Sequence, residues 1–372
     1  MQIILAPDKY KGSLSGMEFC DIVEPILKDN LGAKVVRLPL ADGGDGTIEV
    51  INFYLSGVFK TVEVKDPLFR PIKASYLYSE TTGIAFIEMA EASGIKLLKP
   101  EDQNCMHTTT FGTGELILSA INEGAKHIIL GIGGSATNDC GIGMATALGY
   151  EFLDHHGKCL EPVGRNLIHI YKISDNKVNQ RLKNIKIQIA CDVKNPLYGP
   201  KGAAHVYAKQ KGASSSEIEH LNSGLQHFSQ LLDDHFNIKT QQIEGAGAAG
   251  GMGAGTVTFL NGELIPGIDL IMQIANFEES VKNADWIITG EGRLDDQTLS
   301  GKAISGIIEV AKRYNVKVAS FSGSSDLNSD EVKDMGIAYS TTIMDKATSF
   351  EDALKNTTEY LEQLAIDFTT SF

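Results

Sequence analysis

Apolar positions along this chain alternate between short continuous runs and helical spacing, and their order predicts an α/β protein. Residues 2–6 (QIILA) form a short apolar run that predicts a buried strand, and 7–15 (PDKYKGSLS) form the loop after it. From 15 to about 29 the apolar residues Phe19, Ile22, Val23, Ile26 and Leu27 fall on one helical face. Ser13 or Ser15 is the candidate cap of that helix, and Pro25 a candidate kink. A second strand is predicted at 34–40, giving a β-loop-α-β unit that is right-handed by default. The segment DGGDGT (42–47) follows it and begins another helix.

From about residue 60 the pattern changes. Runs at 61–65, 74–78 and 84–89 read as strands joined by turns, one of them DPLFRP (66–71). A helix near 113–123 precedes the apolar run HIIL (127–130), which leads into GIGGSATND (131–139) and then into a closely packed helix at 140–148. A strand at 185–190 ends at CDVKNPLYG (191–199), and 213–236 form an amphipathic helix that starts at three serines. The stretch GAGAAGGMGAG (245–255) reads as a loop, because six glycines in eleven positions suit close backbone approach rather than a helix. A strand at 286–289 leads into GEGRLDDQTLSGK (290–302), followed by a helix through Tyr314, strands at 316–321 and near 337–340, and a helical tail at 351–368.

These elements predict a doubly wound parallel-sheet domain of flavodoxin or Rossmann type from residues 1–58 plus 276–372. Residues 59–275 would be a second, inserted α/β domain. The length of 372 residues supports two cores rather than one. Ligands of such sheets bind at the C-terminal ends of parallel strands, where the glycine-rich loops fall.

Composition narrows the function. A net charge of −14 argues against nucleic acid or an anionic membrane as the main partner, but leaves room for an anionic small substrate. Five scattered cysteines without a CxxC fit a reducing compartment. The N-terminal run reads as a strand rather than a signal peptide, and no apolar run approaches membrane-spanning length, so a cytoplasmic protein is expected. A homo-oligomer is left open.

Six strand ends or loops share one vocabulary of Gly, Asp, Lys, Ser and Thr: 8–15, 42–47, 133–139, 191–195, 245–255 and 289–302. Together they describe a site for phosphate and metal. Phosphoryl transfer needs positive charge on the moving group, carboxylates for Mg²⁺, and a base or orienting group for the attacking hydroxyl. Lys9, Lys11, Lys194, Arg293 and Lys302 are candidates for the first; Asp42, Asp45, Asp192, Glu291 and Asp295 for the others. For Asp45, Lys194 and Arg293 a solvated charge or a cap explains the residue as well. Asp8, Lys11, Asp192 and Asp295 favour function, since each closely follows a predicted buried strand.

Other chemistries fit poorly. Gly301-Lys302 is followed by Ala303, so there is no P-loop. The GxGxxG match at 245–250 lacks a good preceding strand, which argues against a nicotinamide cofactor despite Asp269 further on. His155 and His156 read as a surface turn, G-x-S-x-G is missing, and Cys140 and Cys191 read as small packed residues.

The six stretches APDKYKGSLS (6–15), PLADGGDGT (39–47), GGSATND (133–139), ACDVKNPL (190–197), GAGAAGG (245–251) and TGEGRLDDQT (289–298) together resemble the bacterial glycerate kinases of the two-domain, non-P-loop type. The resemblance implies a kinase dependent on ATP and Mg²⁺ that phosphorylates D-glycerate, in most members at the 2-hydroxyl. It implies a flavodoxin-like domain plus a second α/β domain, with the site in the cleft between them. Asp45 stands where Glu is expected and Cys140 where Gly is expected.

On this reading the catalytic set is Asp192, Asp295, Lys9, Lys11 and Asp8, and the metal set Asp42, Asp192 and Asp295. Lys9 or Lys11 would neutralise developing charge; Asp192 or Asp295 would orient the hydroxyl or bind Mg²⁺. Gly133, Gly134, Ser135, Thr137, Asn138 and Asp139, with Gly247, Gly250 and Gly251, would hold phosphate or the glycerate carboxylate. Ser13, Asp42, Gly43, Gly44, Asn195, Gly290, Glu291, Arg293 and Lys302 complete the expected binding set. The alternatives are a kinase or phosphatase of another small hydroxy acid, or a nucleotide or anion sensor without turnover.

Overall fold

The computed structural model describes residues 1–10, 12–41, 46–295 and 303–372. Lys11, Asp42, Gly43, Gly44, Asp45 and Lys302, all named above, lie outside the described residues. The chain divides into two compact units, Met1–Tyr54 with Gly267–Phe372, and Leu55–Pro266.

The first unit holds a five-stranded, all-parallel sheet in the order Ile337–Thr342, Lys317–Ser322, Trp286–Thr289, Gln2–Leu5, Lys34–Arg37. Numbered within the unit this is 2-1-3-4-5, the flavodoxin order. Ile3, Ile4 and Leu5 are fully buried, as a central parallel strand covered on both faces requires. The helix Gly16–Leu31 packs on the C-terminal helix Thr357–Thr370 through Phe19, Val23, Leu27, Leu361 and Phe368. Its start is a capping box: Ser15 Oγ accepts the Glu18 N–H at 3.2 Å, and the Glu18 carboxylate accepts the Ser15 N–H at 2.8 Å. The helix continues through Pro25 and stops at Gly32 in the left-handed region.

The tail differs from expectation. It is two helices, Phe350–Lys355 and Thr357–Thr370, because Asp352 collects hydrogen bonds from Thr348, Asn356 and Tyr360 and closes the first turn on itself.

The second unit holds a six-stranded sheet in the order Glu263–Ile265, Lys186–Ala190, His127–Gly131, Ile84–Glu88, Pro71–Ser79, Val58–Lys65. The first four strands run parallel, and the last two form an antiparallel extension. The helices Phe111–Glu123 and Ser215–Phe236 bury Leu116, Ile117, Leu221, Leu225 and Phe228 in its core. The glycine stretch at 245–255 is a second departure. Most of it lies in the helix Ala248–Leu260, whose path is interrupted by left-handed backbone at Ala249, Gly250 and Gly251. Among the described residues no helix is long and apolar enough to cross a membrane.

Candidate active site

In the first unit, the loops after the parallel strands surround a pocket of about 520 Å³. Asp8, Lys9, Tyr10 and Ser13 follow the strand Gln2–Leu5, and Glu291, Arg293 and Asp295 follow Trp286–Thr289. These two strands are neighbours, and the strand order reverses between them, which is where open α/β sheets bind ligands. The opposite wall is apolar, with Met344, Phe350 and Leu354.

Local chemistry fixes this loop pair. The Asp8 N–H donates to the Gly290 carbonyl at 2.9 Å, tying the first loop to the third strand. The Asp8 carboxylate accepts the N–H of Lys9 at 2.7 Å, so a short turn presents both charged side chains to the pocket. Tyr10 is buried, stacks on Phe19 at 5.9 Å and donates its hydroxyl to the Phe321 carbonyl. Burial, and then the Glu291 charge, push that hydroxyl well above its ordinary pKa, so it stays a neutral donor. Gly290, expected in the binding set, is required by packing. A Cβ there would stand 2.0 Å from the Phe321 carbonyl oxygen and 2.5 Å from the Tyr10 hydroxyl. Arg293 lines the pocket with its guanidinium paired to Asp326, on the short parallel pair Arg293–Leu294 and Ser324–Ser325.

In the second unit, the central strand His127–Gly131 opens into the loop at 132–141. Gly133 and Gly134 are exposed, and Ser135 is the first of eleven consecutive buried residues. The loop is sewn to the segment beside it: Ile95 N–H donates to the Gly134 carbonyl at 2.9 Å, and Ala136 N–H to the Ser93 carbonyl at 2.9 Å. Asp139 requires a correction. It is fully buried, and its carboxylate accepts the Thr110 N–H and hydroxyl at 2.8 Å each and the N–H groups of Gly141 and Gly143 at 3.2 Å. Burial raises its pKa while those four donors pull it back. Asp139 holds the loop and the following helix in place and has no exposed oxygen for a ligand.

Thr137 and Asn138 are also fully buried. The Thr137 hydroxyl and both amide atoms of Asn138 have no partner among the described residues. The Asn195 amide donates to the Lys201 carbonyl at 2.9 Å and accepts the Tyr207 hydroxyl at 2.7 Å. Its side chain fixes the 195–207 loop. Asp192 is exposed in the same loop, just beyond the strand Lys186–Ala190. Lys194 pairs with Glu244 at 3.6 Å on the surface, a contact of little energetic weight.

Gly247, Gly250 and Gly251 have a packing role. All three are buried, and a Cβ would meet the Pro196 carbonyl oxygen at 2.2 Å, the Thr137 carbonyl oxygen at 2.1 Å and the Cys140 Cα at 3.0 Å, respectively. Gly250 and Gly251 let the helix start press against the 137–140 backbone, and Gly247 lets it press against Pro196. Gly250→Ala is expected to destabilise the Leu55–Pro266 unit by at least about 2 kcal/mol, through overlap and a left-handed φ, read as a lower melting temperature. Cys140 has φ +52°, a conformation that favours glycine, so the resemblance's expectation of Gly there has a backbone cause. His155 and His156 lie on an exposed turn around Asp154, and all five cysteines are free thiols.

Sequence reasoning missed Lys211. Its side chain is buried, and its ammonium donates to Ser135 Oγ and the Thr137 carbonyl at 2.7 Å each.

Comparison with known proteins gives the family. The model of the glycerate kinase family matches residues 3–372. The chain belongs to the glycerate kinase family. A glycerate kinase of Halalkalibacterium halodurans is 42% identical over 364 residues, covering 98% of this chain and 96% of the relative. One of Bacillus subtilis is 41% identical over 372 residues, covering 100% and 97%. An Escherichia coli protein named glycerate 2-kinase is 41% identical over 325 residues, covering 87% and 85%. A crystal structure from Salmonella typhimurium, provisionally named glycerate kinase 2, superposes with a TM-score of 0.87 at 38% identity and covers 100% of this chain and 98% of its own. Membership makes this family protein a kinase with a mixed α/β, mainly parallel fold.

Proposed function

We propose that this chain transfers the γ-phosphoryl group of ATP to D-glycerate, at the 2-hydroxyl, giving 2-phosphoglycerate. The observation that carries the reading is the pocket at the sheet's reversal point, where Lys9 and the Asp326-paired Arg293 stand with the carboxylates Asp8, Glu291 and Asp295. The E. coli relative's name, glycerate 2-kinase, favours the 2-hydroxyl.

In this reading the glycerate hydroxyl oxygen forms the new P–O bond and the bond from Pγ to the β,γ-bridging oxygen breaks, leaving ADP. Asp8 or Asp295 accepts the hydroxyl proton or orients the hydroxyl, and Lys9 faces the charge that builds on the phosphoryl oxygens. Asp192, with the exposed turn at Gly133 and Gly134, is assigned to substrate binding. Lys11, Asp42 and Lys302 keep the roles that the resemblance implies.

Among the described residues no group of three or more His, Cys, Asp or Glu could hold a metal ion alone. Mg²⁺ asks for less, since it takes one or two carboxylates and completes its octahedron with phosphate oxygens and water. The oxygen donors Asp8, Glu291 and Asp295 fit that requirement. When bound with ATP, Mg²⁺ neutralises phosphate charge. We place the reaction in the cytoplasm, consistent with five free, scattered cysteines. We also read the two compact units as the enzyme's two domains.

The reading is tested by ADP release on a panel of hydroxy acids with ATP and Mg²⁺. D-glycerate is expected to exceed L-glycerate, lactate and glycolate in kcat/KM by at least tenfold. Equal turnover of lactate would point to another hydroxy acid as the substrate. ATP binding without ADP release on any acid would point to the sensor.

A further inference from the structure

We propose that Lys211 is a positioning residue for the reaction. Its buried ammonium fixes Ser135 as a hydrogen-bond donor and sets positive charge beneath the turn at Gly133 and Gly134, where an anionic oxygen of a substrate docks. This rests on the kinase reading above.

The argument starts from donors and acceptors. An ammonium has three N–H donors and no acceptor, so in both of its 2.7 Å contacts Lys211 is the donor. Ser135 Oγ therefore accepts, and the hydroxyl's own hydrogen must point elsewhere. Among the described residues it has no acceptor. Two further residues of the loop, Thr137 and Asn138, contribute three buried polar atoms without partners among the described residues. A loop whose floor is a buried cation, and whose Ser135 and Thr137 hydroxyls and Asn138 amide N–H groups are donors without acceptors among the described residues, is prepared for negative charge from outside. Its tip, Gly133 and Gly134, is exposed, and a Cβ at Gly133 would meet nothing within 4 Å. A carboxylate or phosphoryl oxygen can therefore approach the backbone there.

The fold places Lys211 deliberately. It ends the turn Lys209–Lys211, and Gly212 follows at φ +88° with its Cα pressed on the Gln103 carbonyl, where a Cβ would stand 1.8 Å from the oxygen. The Lys211 carbonyl accepts the Cys105 N–H at 3.1 Å. With the backbone held on that side, the side chain runs inward under the loop.

The charged groups around it are few. Asp139 on the loop and the Cys105 thiol, itself pushed by burial up to about 11, both favour the ammonium, while burial opposes it. Glu217, on the helix Ser215–Phe236, acts on Cys105 and lies near His107. The net result is a lysine pushed down to about 8 by burial. It is charged below that pH and loses its charge above it, so the anion site weakens as pH rises from 7 to 9.5.

The test is steady-state kinetics of wild type, Lys211→Met and Ser135→Ala with both substrates varied, and melting curves to check folding. Lys211→Met removes the charge and keeps most of the volume, and a rise in KM of at least tenfold for one substrate, with kcat falling less, is expected. A rise for D-glycerate identifies the carboxylate as the docked group, and a rise for ATP identifies a nucleotide phosphate. Ser135→Ala should raise the same KM, and the double variant should add little, because both changes remove one linked interaction.

In wild type that KM should climb between pH 7 and 9.5, and in Lys211→Met the climb should vanish. If Lys211→Met does not fold, the wild-type profile and Ser135→Ala decide. A flat KM from pH 7 to 9.5 together with an Ser135→Ala KM within twofold of wild type overturns the proposal. Normal wild-type turnover with unmoved KM values removes this inference alone, whereas wild type that releases no ADP with glycerate removes the kinase reading and this inference with it.

Discussion

Asp295→Asn is expected to lower kcat at least a hundredfold, about 2.7 kcal/mol of barrier, with the KM values changed far less. The substitution keeps the size and planarity of the side chain while removing its charge and its capacity to take a proton. Asp295 lines the pocket beside Asp8 and Glu291, on the loop that leaves the strand Trp286–Thr289. That loop is anchored independently of the Asp295 carboxylate by the Arg293–Asp326 pair and by the Asp326 N–H donating to the Leu294 carbonyl at 2.9 Å. The fold should therefore survive the change, and a loss of rate would report chemistry. Asp192→Asn, in the exposed 191–195 loop assigned to substrate binding, is expected instead to raise a KM at least tenfold with kcat falling less. A kcat within about tenfold of wild type for Asp295→Asn, roughly 1.4 kcal/mol, would remove Asp295 from its assigned role, and unmoved KM values would remove Asp192 from its own.

Asp139→Ala has the second large effect, on stability rather than rate. The substitution strips partners from the N–H groups of Thr110, Gly141 and Gly143 and from the Thr110 hydroxyl, all in the interior. Breaking a buried charged network from one side costs about 3–5 kcal/mol, because the groups left behind can reach neither a partner nor water. In a unit of this size that lowers the melting temperature by roughly 6–20 °C. Asp139→Asn should recover only part of the loss, since its amide NH₂ would face donors. A melting temperature within about 2 °C of wild type for Asp139→Ala would mean that the carboxylate does not hold the loop.

The contrast between these two aspartates shows what the sequence discloses. Both follow apolar strands in glycine-rich loops, and the spacing is the same kind of signal for each. Only the fold tells that Asp139 turns inward to Thr110, while Asp295 faces a pocket. Glycines divide in the same way: Gly133 and Gly134 are exposed, whereas Gly250 serves contact with the Thr137 carbonyl, 113 positions earlier in the chain. Local features were legible. The cap at Ser15, one of the two candidates, and the buried runs at Ile3–Leu5 and Ile287–Ile288 rest on interactions between near neighbours or on unbroken apolar runs.

Features made by distant contacts were not legible. Lys211 is one lysine in a polar segment, and its burial depends on Gly212 meeting the Gln103 carbonyl and on Ser135 lying above it. The split of the C-terminal tail depends on Asp352 gathering three side chains around one carboxylate. The helix at Ala248–Leu260 forms despite its glycines because tertiary packing against 137–140 overrides propensity.

The central claim is phosphoryl transfer from ATP to D-glycerate, and a ³¹P NMR spectrum of the enzyme with ATP, Mg²⁺ and D-glycerate tests it most directly. The account predicts a new phosphomonoester signal growing as the ATP γ-signal falls, coupled to a single proton, as a phosphate on the secondary C2 oxygen requires. Coupling to two protons would move the product to the C3 oxygen. ATP left intact beside unchanged D-glycerate would contradict the account.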